Sequence, residues 1–92
     1  MTSDNHDDYT DVAAKQLDLL ETTADDDLWN SIVDALDLVF RLPAEAQKRS
    51  GAITTDDGRI VFRLPVAGHP PYKVFWTWPD SGPLVEAVFP HP

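Results

Sequence analysis

Apolar positions change their period along this chain. Between residues 11 and 41 they recur every three to four residues, and from residue 59 onward every second residue. The first regime predicts helices and the second predicts strands. In DVAAKQLDLLETT, residues 11–23, Ala13, Leu17, Leu20 and the following Ala24 share one face of a first helix, with Thr10 or Asp11 as its cap. Leu28, Trp29, Ile32, Val33, Leu36, Val39 and Phe40 then form a broader apolar face on a second, stronger helix. Thr23 followed by Asp26 has the spacing of a capping box with Asp in place of Glu. Asp25, Asp26 and Asp27 stand where the helix dipole favours negative charge. Pro43 ends this helix, because the residue before a proline is pushed out of the helical region. Residues 43–50, PAEAQKRS, read as a short helix with Pro first and Gly51 just past the end.

Four strands follow: AITT, RIVFRLP, YKVFWTW and PLVEAVF. Asp56-Asp57-Gly58 is the hairpin turn between the first two. Gly68-His69-Pro70-Pro71 and Pro79 to Pro83 make the later connections. Ile60, Phe62 and Leu64 alternate with Arg59, Val61 and Arg63, and Tyr72, Val74, Trp76 and Trp78 alternate with Lys73, Phe75 and Thr77. Pairing residue 63 with 73 and 59 with 77 puts Arg59, Arg63, Lys73 and Thr77 on one face and the aromatic set on the other. The expected fold class is α+β: two main N-terminal helices packed on one face of a four-stranded antiparallel sheet. Trp29, Leu36, Phe62 and Trp76 are expected to be deeply buried. Residues 1–9 lack apolar content between Met1 and Tyr9 and read as a disordered acidic tail, leaving 10–92 as a single domain.

Composition sharpens this picture. Ninety-two residues make one domain with a thin core. The net charge is −9, yet residues 28–92 hold seven acidic and six basic side chains, so the excess belongs to residues 1–27 with nine acidic residues against Lys15. Bulk charge argues against the whole chain adhering to nucleic acid, while a local basic patch on the sheet stays open. The absence of cysteine excludes disulfides and thiolate metal sites. No apolar run approaches the roughly 18 residues of a membrane span. MTSDNHDD has neither the basic nor the apolar region of a secretory signal, so the expected location is cytoplasmic and no membrane contact is expected. No phosphate-binding loop or cofactor motif is present, and no cofactor is expected.

Tyr72-Lys73-Val74, the turn at Asp80-Ser81-Gly82, and Val85-Glu86-Ala87-Val88-Phe89 with His91 resemble the closing motifs of the RelE/ParE toxin superfamily. LDLVFRLP before the sheet is similar to that family's second helix, and the resemblance spans roughly residues 28–92. It implies two helices followed by a meander of three or four antiparallel strands. It also implies ribosome-dependent cleavage of messenger RNA, or poisoning of DNA gyrase, through basic residues on the sheet face. Lys73 falls where the family has a strand arginine, Arg63 or Arg59 on the basic position of the preceding strand, and His91 on the His of a His-Arg pair. Pro92 stands where the arginine of that pair would be, the family's C-terminal tyrosine is absent, and an acidic helix replaces its opening strand.

The candidate catalytic residues are therefore Arg63, Lys73 and His91, with Arg59 as a candidate for binding RNA phosphate. Cationic side chains stabilise charge developing on a cleaved backbone, and histidine exchanges protons near neutrality. The same basic residues would also simply solvate an open sheet face. His6, Asp7 and Asp8 could bind a metal only weakly on a flexible tail, and no metal site is expected. Trp78 or Phe75, if exposed, could stack on a base. Three functions compete: a toxin-superfamily domain acting on ribosome or mRNA; a non-enzymatic module using its acidic N-terminal segment to bind a protein, antitoxin-like or basic; and an acidic mimic of nucleic acid.

Overall fold

The computed structural model describes residues 8–91. Three helices, α1 (Asp11–Thr23), α2 (Asp26–Arg41) and α3 (Pro43–Arg49), precede four strands, β1 (Gly51–Thr54), β2 (Ile60–Pro65), β3 (Tyr72–Thr77) and β4 (Leu84–Pro90). The strands form one antiparallel meander in the order β1-β2-β3-β4. This is the α+β architecture that the change of hydrophobic period predicts. No helix among the described residues is long and apolar enough to cross a membrane.

Each helix boundary has a local cause. Thr10 caps α1, its Oγ1 accepting from the Ala13 amide at 3.1 Å. Asp25 caps α2, accepting from the Leu28 amide at 2.8 Å. The capping box expected from Thr23 and Asp26 does not form. Thr23 still belongs to α1, and its hydroxyl donates to the Leu19 carbonyl at 2.8 Å, whereas Asp25, two residues on, stands at the true N-cap. Pro43 opens α3, and Leu42 serves as C-cap of α2 and N-cap of α3.

The core lies between the helices and one face of the sheet. Ile32, Val39, Val74, Trp76, Val85 and Val88 are its largest fully buried side chains. Trp76 is fitted into this core through its one polar atom: the indole N–H donates to Ser50 Oγ at 3.2 Å, and the Ser50 hydroxyl donates to the Ala46 carbonyl at 2.7 Å. Truncating a buried Trp to Ala costs about 3–5 kcal/mol, a large share of the ~5–15 kcal/mol that holds a domain folded. Leu36 is buried as expected, but Trp29 and Phe62 are only half-buried. Trp29 lies to one side of the core-facing stripe of α2. Phe62 sits on β2 beside the short edge strand, tilted against Trp76 at 4.8 Å.

The register between β2 and β3 differs from the expected one by two residues. Arg63 pairs with Phe75 and Pro65 with Lys73, so Arg63 and Lys73 are not directly opposed. A two-residue slip preserves the alternation, so both remain on the same face. Between β3 and β4 the register shifts at Phe75/Trp76: Phe75 pairs with Ala87 and Trp76 with Val85, leaving Glu86 as the extra residue of a bulge. This irregularity receives α1. The Thr10 amide donates to the Val85 carbonyl at 3.0 Å, and the Thr10 hydroxyl donates to the Glu86 carbonyl at 2.8 Å. Further along, Gln16 Oε1 accepts from the Val88 amide at 2.7 Å. The outer edge of β4 is thereby occupied by α1, leaving the four-residue β1 as the open edge.

Most of the expected tail, residues 1–7, lies outside the described residues. Tyr9, placed at its end, bridges to Val85 and packs edge-on against Phe40 at 5.5 Å. Thr10 thus both caps α1 and fastens it to the sheet. Thr10→Ala is expected to cost about 1–2 kcal/mol, a drop of roughly 5–15 °C in midpoint for a domain this size. Thermal unfolding followed by circular dichroism checks this, and a drop below about 2 °C would show that the anchor contributes nothing.

Candidate functional site

The four basic or imidazole side chains singled out by sequence all bear on the sheet face turned away from the helices, and two of them, Arg59 and Lys73, are already engaged by other groups. Arg59 Nη1 lies 3.3 Å from Glu86 Oε2 and its Nε 3.7 Å from Asp57 Oδ2. Glu86 also accepts from the Thr77 hydroxyl at 3.1 Å. The bulge turns Glu86 into this face, where it neutralises the residue expected to hold phosphate. Asp57 accepts from Thr55 Oγ1. That hydrogen bond, followed by the Arg59 amide and guanidinium, holds its carboxyl below the usual carboxylate value. The Asp57 carboxylate therefore stays charged at neutral pH, and the turn contacts weaken only as pH falls through that lowered pKa.

Lys73 points along the sheet toward the C-terminal end. Its ammonium donates to the His91 carbonyl at 2.7 Å and to the Pro71 carbonyl at 3.4 Å. Arg63 lies across Gly51, where a Cβ would meet its Nη2 at 3.4 Å, and its Nε is enclosed without a partner among the described residues. Between them Phe75 is only 8% exposed although no helix covers it. It stacks on Phe89 at 4.7 Å and 11°, and the His91 ring meets it edge-on at 5.4 Å. His91 Nδ1 is enclosed and unbonded. The face is thus an aromatic ridge of Phe75 and Phe89 flanked by Arg63 and Lys73. It brings Arg63, Lys73, His91 and Phe75 into one neighbourhood, but no acid–base pair with hydrogen-bonded geometry forms there. Phe75 is too buried to stack on a base, whereas Trp78, just past the end of β3, is 41% exposed.

A second surface has a different character. Residues 11–41 carry eight acidic side chains against Lys15 and Arg41, while residues 42–91 carry five of each sign. Division at residue 27 separates Asp34 and Asp37 from this excess, yet both project from α2 and join it. The backbone of α1 lies against β4 rather than against α2. An open trough of about 460 Å³ remains between the two helices. Tyr9, Leu17, Trp29, Val33 and Phe40 supply its apolar lining, and Asp18 and Asp37 supply carboxylates. Burial in its wall, with Asp8 nearby, pushes the Tyr9 phenol above its ordinary value, so it stays neutral well past physiological pH.

Trp29, expected deep in the core, is half-buried, as is Phe40, and Val33 from the same apolar face is 43% exposed. The signal for a different role is the width of the α2 stripe. At roughly 100° per residue, Ile32, Leu36 and Val39 fill the arc facing the sheet, and Trp29, Val33 and Phe40 fall beside it. Among the described residues no group of three or more His, Asp or Glu side chains is placed to hold a metal ion. No family model, curated protein or solved structure matches this chain.

The geometry gives Lys73 a bracing role at the end of β4. Lys73→Ala is expected to lower stability by about 1 kcal/mol. It should also speed hydrogen exchange at the His91 amide, which bonds the Pro71 carbonyl at 2.9 Å. Unchanged exchange at His91 would show that the ammonium braces nothing.

Proposed function

We propose that this chain is a non-enzymatic protein-binding module that engages a basic protein through the layer formed by α1 and α2. The observation that carries this reading is the segregation of charge: the whole excess of described negative charge lies on residues 8–41, and the sheet with α3 is balanced. Such a layer speeds and orients encounter with a cationic surface. The order of elements and the shared face of Arg63 and Lys73 support a second reading, a RelE/ParE-like toxin domain acting on mRNA in the ribosome. Against it stand the ion pair that occupies Arg59, the carbonyls that occupy Lys73, and the enclosed His91 ring nitrogen.

Neutralisation tests the acidic layer better than deletion does, because α1 seals β4. A variant carrying Asp11→Asn, Asp18→Asn, Glu21→Gln, Asp34→Asn and Asp37→Asn alters exposed carboxylates and should melt no lower than the parent, since self-repulsion falls. Inducible expression of the parent chain is expected to leave bacterial growth unchanged. Affinity capture from native extract is expected to retain a basic protein. That retention should fall at least about tenfold in the neutralised variant and at about 0.5 M salt, where exposed charges are screened. Retention insensitive to both changes would overturn the reading. Growth arrest that Arg63→Ala with Lys73→Ala abolishes would establish the toxin reading instead.

A further inference from the structure

We infer that the trough between α1 and α2 is the seat of a basic amphipathic helix supplied by the partner protein. This rests on the reading of the acidic layer as a docking surface, and it names the shape and chemistry of what docks.

The apolar lining forms a line, not a point. Trp29, Val33 and Phe40 stand at i, i+4 and i+11 of α2, which spaces them over about 16 Å of helix axis. Leu17 of α1 and Tyr9 form the opposite wall. A trough about three turns long between two helices matches a third helix laying down an i, i+3, i+4, i+7 stripe. The wall residues are half-buried against the core, so the floor is preformed, while Val33 remains open to solvent.

Charge selects the occupant. Asp18 has no cationic partner among the described residues, whereas Asp37 is shared with Arg41 at 3.4 Å. The surrounding helices add further carboxylates. A second copy would bring the same negative layer into contact with itself, which like-charge repulsion opposes. Residues 1–7, the part of this chain outside the structure at that end, add Asp4 and Asp7 and no lysine or arginine, so they too are mismatched. A phosphate-bearing ligand is repelled for the same reason. A helix with leucine-like residues on one face and Lys or Arg on its flanks satisfies both floor and rim.

The test uses the full chain and two synthetic peptides of about 18 residues made of the same Leu, Lys and Ala content. One has Leu at i, i+3, i+4 and i+7; the other has the same residues scattered around the helix. Binding is measured by calorimetry and by movement of the Trp29 indole N–H resonance, identified by its loss in Trp29→Phe. The patterned peptide is expected to bind at least about tenfold tighter than the scattered one and to move the Trp29 signal. Val33→Ser, which removes apolar contact without adding charge, should weaken the patterned peptide about tenfold while leaving the scattered one unchanged. Asp18→Asn should weaken both about two- to fivefold at low salt. Equal binding of the two peptides, with no effect at Val33, would overturn the trough while leaving the acidic docking surface intact. Binding of neither would also overturn it, and the capture assay on the parent chain then decides the acidic-layer reading separately. A dimer of the chain alone that Val33→Glu dissociates would assign the trough to a second copy.

Discussion

The junction between Thr10 and the bulge of β4 is the constraint on which the remaining geometry depends. One extra residue, Glu86, breaks the ladder and frees two carbonyls on the outer side of the strand. Thr10 takes both, one with its amide and one with its hydroxyl, while its oxygen also caps α1. A single residue thus starts α1 and closes part of an edge that would otherwise present unpaired backbone groups. The same bulge turns the Glu86 carboxylate to the far face, where it pairs with Arg59. One backbone irregularity therefore fixes the helix on one side of the sheet and cancels a cation on the other.

Hanging α1 on β4 has a consequence for the helical layer. Because α1 takes its hold from the strand, its apolar stripe and that of α2 do not close on each other. The gap is lined by side chains that a more conventional helix pair would bury between them. Carboxylates gather around the same gap, and their repulsion resists closing it further. A small domain with a thin core gains little by leaving aromatic surface half-exposed. This arrangement makes physical sense where a partner covers it.

The sheet's far face illustrates how a pattern of charges misleads. Basic residues at alternate positions of β2 and β3 suggest an open cationic platform. In the fold, Phe75, Phe89 and Val61 occupy that face, and the cations flank it, Arg59 in an ion pair, Lys73 against backbone carbonyls and Arg63 across Gly51. Long side chains with charged tips pack their stems over apolar neighbours, so a basic residue on a strand is as often a lid as a ligand site.

Hydrophobic period by itself determined the helices, the strands, their order and the buried character of Leu36 and Trp76, but not the half-exposure of Trp29 and Phe62, because periodicity is set by the geometry of each element. Proline at 43 and the Asp-Asp-Gly turn at 56–58 marked boundaries for equally local reasons. The charge excess of the N-terminal part was legible too. Only the tertiary structure decided the β2–β3 register, since a slip of two residues leaves the alternation unchanged. It alone placed the bulge at Glu86, which responds to α1 across a sequence separation no local signal spans. It alone distinguished the core-facing residues of α2 from Trp29, Val33 and Phe40. All are apolar at helical spacing, and which of them meet the sheet depends on where α1 is held.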